Sequence, residues 1–222
     1  MTVRVGDHPD GFQLTPSVTK NATRRGRFIC YTLFNSQMYT LHNTCRACGS
    51  KALVPVFSLG VQPLANDFCK EGQPRQGQAP LSVLFCEICR LAQLSVVVAP
   101  EVLYRNYAYV TSDSETMQKH FAALVRDLTA EQPAGPVVEI GSNNGALLKY
   151  LRGEGFINSV GIEPAQNLAR EANADGVLTI NDFLTTHSAH EAKASCGRVS
   201  FILARHCFCH ADSWVKIVDS LE

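Results

Sequence analysis

The sequence predicts an α/β protein in two parts, a small four-cysteine unit followed by a parallel sheet with helices on both faces. Three observations predict it. Two Cys-x-x-Cys pairs, Cys45 with Cys48 and Cys86 with Cys89, lie in the first half of the chain. From Pro136 onward, strand-like and helix-like segments alternate, a pattern that builds a parallel sheet covered by helices. The apolar run Val137-Val138-Glu139-Ile140 ends in the glycine turn Gly141-Ser142-Asn143-Asn144-Gly145, and a helical pattern begins at once. At such a junction glycine leaves room for a nucleotide-like ligand and the first N–H groups of the helix face it.

Bulk properties narrow the class. The chain has 222 residues, enough for one large domain or two small ones. Hydrophobic residues make up 45% and charged residues 18%, the balance of a globular chain rather than a disordered one. Lys+Arg and Asp+Glu are 20 each, so there is no broad basic footprint for a nucleic-acid backbone. No apolar run is long enough for a bilayer, and the short segment Phe28–Phe34 behind Arg24, Arg25 and Arg27 lacks a cleavage site, so no signal peptide is read. Nine cysteines without a secretory signal fit reduced thiols with one metal site, which places the protein in the cytoplasm.

Residues 1–43 show no clean period and are expected to be a tail, with the native start at Met38 or the first 37 residues loose. Residues 44–99 form the cysteine unit. Each Cys-x-x-Cys pair is a knuckle whose two thiolates reach one ion, and Gly49 or the small turn after Cys89 lets backbone N–H groups approach the sulfurs. The β-like segments 53–57, 81–85 and 92–98 complete a zinc-ribbon pattern with Cys45, Cys48, Cys86 and Cys89 as ligands of Zn2+. The long gap between the pairs is expected to hold a loop containing Gly72, Pro74, Gly77 and Pro80. Four sulfurs close the site to water, so its role is structural.

Residues 100–135 read as a tyrosine-rich connection, Tyr104, Tyr107 and Tyr109, and an amphipathic helix over 115–131. Ser112 to Glu115 have capping-box character, and Met117, Phe121, Leu124, Val125 and Leu128 recur at helical spacing. Residues 136–222 hold strands at 136–140, 157–162, 177–180 and 199–204. Helices are expected at 145–152, 164–174, 186–195 and from about 212, where Trp214, Ile217, Val218 and Leu221 make one stripe. Four strands are fewer than such folds usually show, and the fourth would be a bare apolar edge. The sequence is therefore expected to be incomplete, or that edge to be covered.

The glycine turn reads Gly141-x-Asn143-x-Gly145, shorter than the dinucleotide pattern. The first strand carries Glu139, and about 20 residues after it the second strand ends in Gly161-Ile162-Glu163-Pro164. A carboxylate at that point accepts ribose hydroxyls. Asp182-Phe183, after the third strand, offers a polar contact and an apolar wall to an adenine. A ribose clamp, an adenine edge and no lysine for phosphates point to S-adenosyl-L-methionine. The run Arg205-His206-Cys207-Phe208-Cys209-His210 stands at the carboxyl edge of the fourth strand. There His210 reads as a general base, a substrate contact or part of a polar loop. A second metal site from His206, Cys207, Cys209 and His210 is disfavoured, because strand alternation sends the pairs to opposite faces.

Taken in order, these segments resemble the S-adenosylmethionine-dependent sugar C-methyltransferases that act on carbon 3 of nucleotide-linked 4-keto-deoxysugars. The segments that carry the resemblance are Cys45-Arg46-x-Cys48-Gly49, Leu59-Gly60-x-Gln62-Pro63-Leu64-Ala65-Asn66 and Cys86-x-x-Cys89-x-Leu91-x-Gln93-Leu94. Tyr107-x-Tyr109-x-Thr111-Ser112, His120, Glu139 to Gly145, Gly161 to Ala165 and Ala204 to His210 follow. The resemblance covers about residues 44–220. It implies a zinc-binding domain ahead of a class I methyltransferase domain, Rossmann-like and incomplete here, with a C-terminal substrate domain beyond.

The chemistry it implies is deprotonation beside a ketone, followed by attack of the carbon on the methyl sulfonium. The family's general-base His lies in a Tyr-x-Glu-His motif that this sequence does not contain. Tyr109 or Tyr107 and His210 would line the catalytic site. Glu139, Gly141, Asn143, Gly145, Glu163 and Asp182 would bind the cofactor. Asn144 stands where the family usually has Asp, and His206 where Asn is common. The expected function is C-methylation of a nucleotide-linked keto-deoxysugar by what is a fragment of the enzyme. The alternatives are a fragment that binds zinc and cofactor without turnover, or a methyltransferase with another substrate. No nucleic-acid or membrane partner is expected, and the sequence does not specify an oligomeric state.

Overall fold

The computed structural model describes residues 38–68, 71–72, 77–111, 114–131, 134–212 and 214–220, all within one compact unit from Asn35 to Glu222. The expected tail 1–37 lies outside the described residues, as do Ser112, Asp113, Pro133 and Leu221. Among the described residues, no helix is long and apolar enough to cross a membrane.

The cysteine unit holds two small sheets. Strands β1 (Tyr39–Leu41) and β5 (Val96–Val98) pair antiparallel, and β2 (Leu53–Pro63), β3 (Gln78–Cys86) and β4 (Ala92–Leu94) form a three-stranded sheet in the order β2-β3-β4. Three expectations change here. Tyr39–Leu41, placed in the tail by their lack of period, are a strand because Val96–Val98 offer them an edge. The single strand expected over 92–98 breaks at Ser95, whose N–H bonds to Ser82 and whose carbonyl accepts from His42, so the chain changes sheets there. Part of the loop expected between the cysteine pairs is a long hairpin instead, with Pro80 inside β3 opposite Val61. Register shifts next to Pro55 and between Ser58 and Val61 absorb the residues that break the alternation. The register also puts Val54, Phe57, Val83, Phe85, Ala92 and Leu94 on one face of this sheet. That face joins none of the core clusters among the described residues.

A five-residue helix, α1 (Pro100–Tyr104), follows with Pro at its first turn. Then α2 (Glu115–Glu131) buries Phe121, Val125 and Leu128 at helical spacing. Its start is held by Ser114, whose hydroxyl accepts the Met117 N–H at 3.4 Å.

The second part is a parallel sheet of β6 (Val137–Ile140), β7 (Val160–Ile162), β8 (Thr179–Ile180) and β9 (Phe201–Ala204), in the order β8-β7-β6-β9. The helices between them are α3 (Ala146–Gly153), α4 (Gln166–Ala174) and α5 (Thr186–Cys196), and α6 (Trp214–Asp219) follows. Neighbouring strand residues point to opposite faces. Val137 therefore packs with Phe121, Leu147, Leu151 and Phe156 under α2 and α3, while Val138 packs with Ile162, Ile180 and Ala192 under α5. Strand β9 is an edge, and its Ile202 is 43% exposed. The connection from β6 runs to one side and β9 lies on the other, so the strand order reverses at β6. A crevice opens at the carboxyl ends of the strands at such a reversal.

Phe121 is fully buried and stacks on Tyr150 with ring centroids 5.7 Å apart. Phe121→Ala is expected to cost about 3–5 kcal/mol of stability, read as a lower urea midpoint with the slope unchanged. Leu94→Ala, on the uncovered face of the cysteine unit, is expected to stay within about 0.5 kcal/mol of the parent.

Candidate functional site

Two knuckles of the same shape bring four sulfurs together. The N–H of Gly49 bonds to the Cys45 carbonyl at 2.8 Å, and the N–H of Arg90 bonds to the Cys86 carbonyl at 2.9 Å. Gly49 and Arg90 both take the left-handed backbone, φ 72° and 69°, so the second knuckle imposes on an arginine the turn that glycine makes freely. The sulfurs of Cys45 and Cys89 are 3.4 Å apart and those of Cys48 and Cys86 3.6 Å, and all four lie within 4.8 Å of one another. Four sulfurs around one zinc at about 2.3 Å would stand roughly 3.8 Å apart, so the donor set fits this ion. Backbone N–H groups aim at the sulfurs. That of Cys48 leads in pulling the Cys45 thiol down to about 6, and that of Cys89 leads in lowering Cys86. Cys89 moves the other way: the Leu91 N–H pulls its thiol down, but its contact with Cys45 and burial push it up to about 12, so the proton it shares must leave for a metal to bind all four as thiolates.

The glycine turn is held by a buried carboxylate. Glu163 accepts the N–H of Asn143 at 2.7 Å on one oxygen and that of Ala165 at 2.8 Å on the other. Gly141, at φ 68°, bonds back to the Ile162 carbonyl at 2.8 Å. The Asn143 side chain faces the tyrosine segment: its oxygen accepts the Thr111 N–H at 2.8 Å, and its amide donates to the Tyr109 carbonyl at 3.0 Å. Gly145, at φ 72°, is the N-cap of α3, and a Cβ there would come within 2.9 Å of Val177. Helix packing therefore demands this glycine. Asn144 donates to Glu171 of α4 at 3.2 Å.

A cavity of about 790 Å³ opens at the carboxyl ends of β6 and β7. Gly141, Asn143, Glu163 and Asp182 line it together with Tyr107, Tyr109, His120 and His210, so most residues singled out from the sequence meet here. Glu139 and Gly145 stand behind this lining. Residues that sequence reasoning did not single out complete the wall. Tyr104 packs edge-on against Tyr107 with centroids 5.6 Å apart, and its ring lies 5.7 Å from that of His210. Burial leads in pushing the Tyr104 hydroxyl up to about 12, so it stays protonated. Arg105 lies 4.7 Å over the Phe183 ring and 3.8 Å from Asp182. The signal for Tyr104 was its place in the tyrosine run; Arg105 carried none.

After β9 the chain leaves extended structure. His206 has φ 54° and Phe208–His210 form a short 3-10 turn, so the alternation used to separate the cysteines from the histidines does not apply. Each thiol approaches a carbonyl instead, Cys207 that of Ile140 at 3.5 Å and Cys209 that of His206 at 3.6 Å. Among the described residues, the metal-ligand cluster found is that of the four knuckle cysteines. Burial first, and then the electrostatic influence of Arg46 and His206, lowers the His210 pKa, which favours its neutral form.

Glu139 is fully buried, and one of its oxygens takes both Nε and Nη2 of Arg205, at 3.0 and 2.7 Å. Its other oxygen has no hydrogen-bond partner among the described residues. Burial pushes this carboxyl from its ordinary 4.5 up to about 7, against the pull of Arg205. The folded chain then binds more proton than the unfolded chain between these values, so stability from Glu139 is full below about 4.5 and lost as pH rises through about 7. Arg205→Gln leaves the carboxylate buried without its cation, and at pH 8 is expected to cost about 3–5 kcal/mol in urea unfolding. The loss should shrink towards pH 5, and Glu139→Gln in the same background should recover much of it. An Arg205→Gln penalty that does not change with pH would contradict the pairing.

Comparison of the chain with known proteins points to a family. A model described as "Putative zinc binding domain" matches residues 45–104, and a methyltransferase domain model matches residues 114–222. The chain is 37% identical over 184 residues to the C-methyltransferase NovU of Streptomyces niveus, covering 80% of this chain and 43% of that relative. It thus spans less than half the length of the relative it matches. The chain belongs to the methyltransferase family that joins a zinc-binding domain to a methyltransferase domain and that includes this C-methyltransferase.

Proposed function

We propose that the chain is the zinc- and S-adenosylmethionine-binding part of a C-methyltransferase acting on a nucleotide-linked keto-deoxysugar. The observation that carries this reading is the single cavity shared by Gly141, Glu163 and Asp182 with Tyr107, Tyr109 and His210. The residues present fit the cofactor. Each Glu163 oxygen takes one N–H and keeps acceptor capacity for a ribose hydroxyl. Phe183 gives an apolar wall, and the lining arginines Arg105 and Arg205 face carboxylates rather than a polyphosphate site. S-adenosylmethionine supplies an electrophilic methyl group. The chain's own groups would orient the acceptor: neutral His210 takes a hydrogen bond or proton from it, and a hydroxyl of Tyr107 or Tyr109 donates to an oxygen on which charge develops. Zinc held by Cys45, Cys48, Cys86 and Cys89 would keep the two knuckles together. The seven described cysteines form no disulfide with one another, which suits the reducing cytoplasm.

Calorimetry with S-adenosylmethionine is expected to show binding that Glu163→Gln weakens by about 10-fold or more, the loss of a charged hydrogen bond. No heat from the parent chain would overturn the cofactor assignment. Transfer of labelled methyl to a nucleoside-diphosphate 4-keto-deoxysugar tests the substrate; labelling of a nucleic acid or another small acceptor in its place would refute it.

For the metal, thiol modification is expected to release about one zinc per chain, and Cys48→Ser to lower both zinc content and thermal stability. A metal-free chain of unchanged stability would rule out the structural role.

A further inference from the structure

Arg46 lies between two of the knuckle cysteines, yet its side chain points away from the sulfurs. Its backbone N–H is pinned by the Gln93 side chain at 2.8 Å, and Gln93 in turn donates to the Thr44 carbonyl at 3.1 Å. From this fixed base the guanidinium Nη2 donates to the Ala211 carbonyl and lies 3.5 Å from the Cys209 carbonyl. These two carbonyls flank His210 in the chain. Beside them, His42 Nε2 stands 2.9 Å from Asp212 Oδ1, without the alignment of a hydrogen bond. The gripped segment is short, and its Cys207 and Cys209 thiols lie against the Ile140 and His206 carbonyls. It is a three-residue turn with two backbone bonds, at 3.1 Å each, entered through His206 at positive φ.

We propose that Arg46 is a positioning residue: from inside the first knuckle it clamps the carbonyls on either side of His210 and so sets where that imidazole stands in the cavity. The proposal rests on the reading of His210 as a substrate-contacting group. Arg46 also acts on His210 through charge, alongside burial and His206. The other groups facing this segment are Tyr104, whose ring packs on the imidazole, and the His42–Asp212 pair beside it. A planar guanidinium suits this task because it carries several donors in a fixed geometry.

The test follows the His210 ring by NMR in the zinc-loaded full chain, with the resonance assigned by His210→Gln. In Arg46→Gln the expected result is unchanged zinc content and cofactor affinity, a displaced His210 resonance, loss of its contact with the Tyr104 ring, and an upward move of its titration midpoint. Arg46→Lys, which keeps the charge and a donor, should restore part of the ring position. It also carries the same readouts if the Gln variant does not fold. A His210 ring that keeps its resonance, its Tyr104 contact and its titration in both variants overturns the proposal. So does loss of zinc in both variants, because Arg46 would then serve the metal site itself. Substrate affinity of His210→Gln separates the two readings: if it is unchanged while Arg46→Gln moves the ring, the positioning stands and the substrate contact falls.

Discussion

A carboxylate buried at the end of β7 ties the molecule's functional side together. Glu163 is 6% exposed, and burial raises its pKa. The cost of removing that charge from water is offset by two backbone N–H groups that reach it from different connections, Asn143 after β6 and Ala165 at the start of α4. The bond to Asn143 holds a non-glycine residue at φ 55°. Held there, Asn143 turns its amide toward Thr111 and Tyr109. One acid thus fixes the turn, and through the turn the aromatic wall.

Charged groups around the cavity likewise have named local partners. Glu139 spends one oxygen on two donors of Arg205, and Arg205 lies 5.4 Å over the Phe121 ring, so the pair is seated against the main core. Asn144 meets Glu171 as a donor, avoiding the repulsion that an acid would bring.

The cysteine unit takes part in this architecture. Asn66 donates to the Tyr107 hydroxyl at 3.1 Å, and the Asn167 side chain of α4 exchanges two bonds with the Tyr107 backbone. Arg46 and His42 reach the segment that carries His210. Two walls of the cavity are thus braced by residues far from them in sequence, and the four-cysteine unit has structural reach into the cavity.

The elements that local pattern specifies were legible in the sequence. The α2 stripe of Phe121, Val125 and Leu128, the β6 run with its glycine turn, and the two knuckles each follow from spacing alone, because helical period, strand period and ligand spacing are properties of neighbours. The extension of β2 and β3 beyond the segments 53–57 and 81–85, and their pairing as a hairpin, were not legible, because Pro55, Gly60 and Pro80 break the alternation and only cross-strand pairing reveals the bulges that absorb them. Residues 39–41 became a strand only when β5 lay beside them. The same division holds for the site. Sequence determined which groups were available: the four sulfurs, Glu163, the tyrosines and His210. Tertiary structure decided their partners, putting Gly145 against Val177, Glu139 on Arg205 and Arg46 on the loop of His210. A partner some 66 or 165 positions away in the chain leaves no trace in local periodicity, since only packing brings the two together.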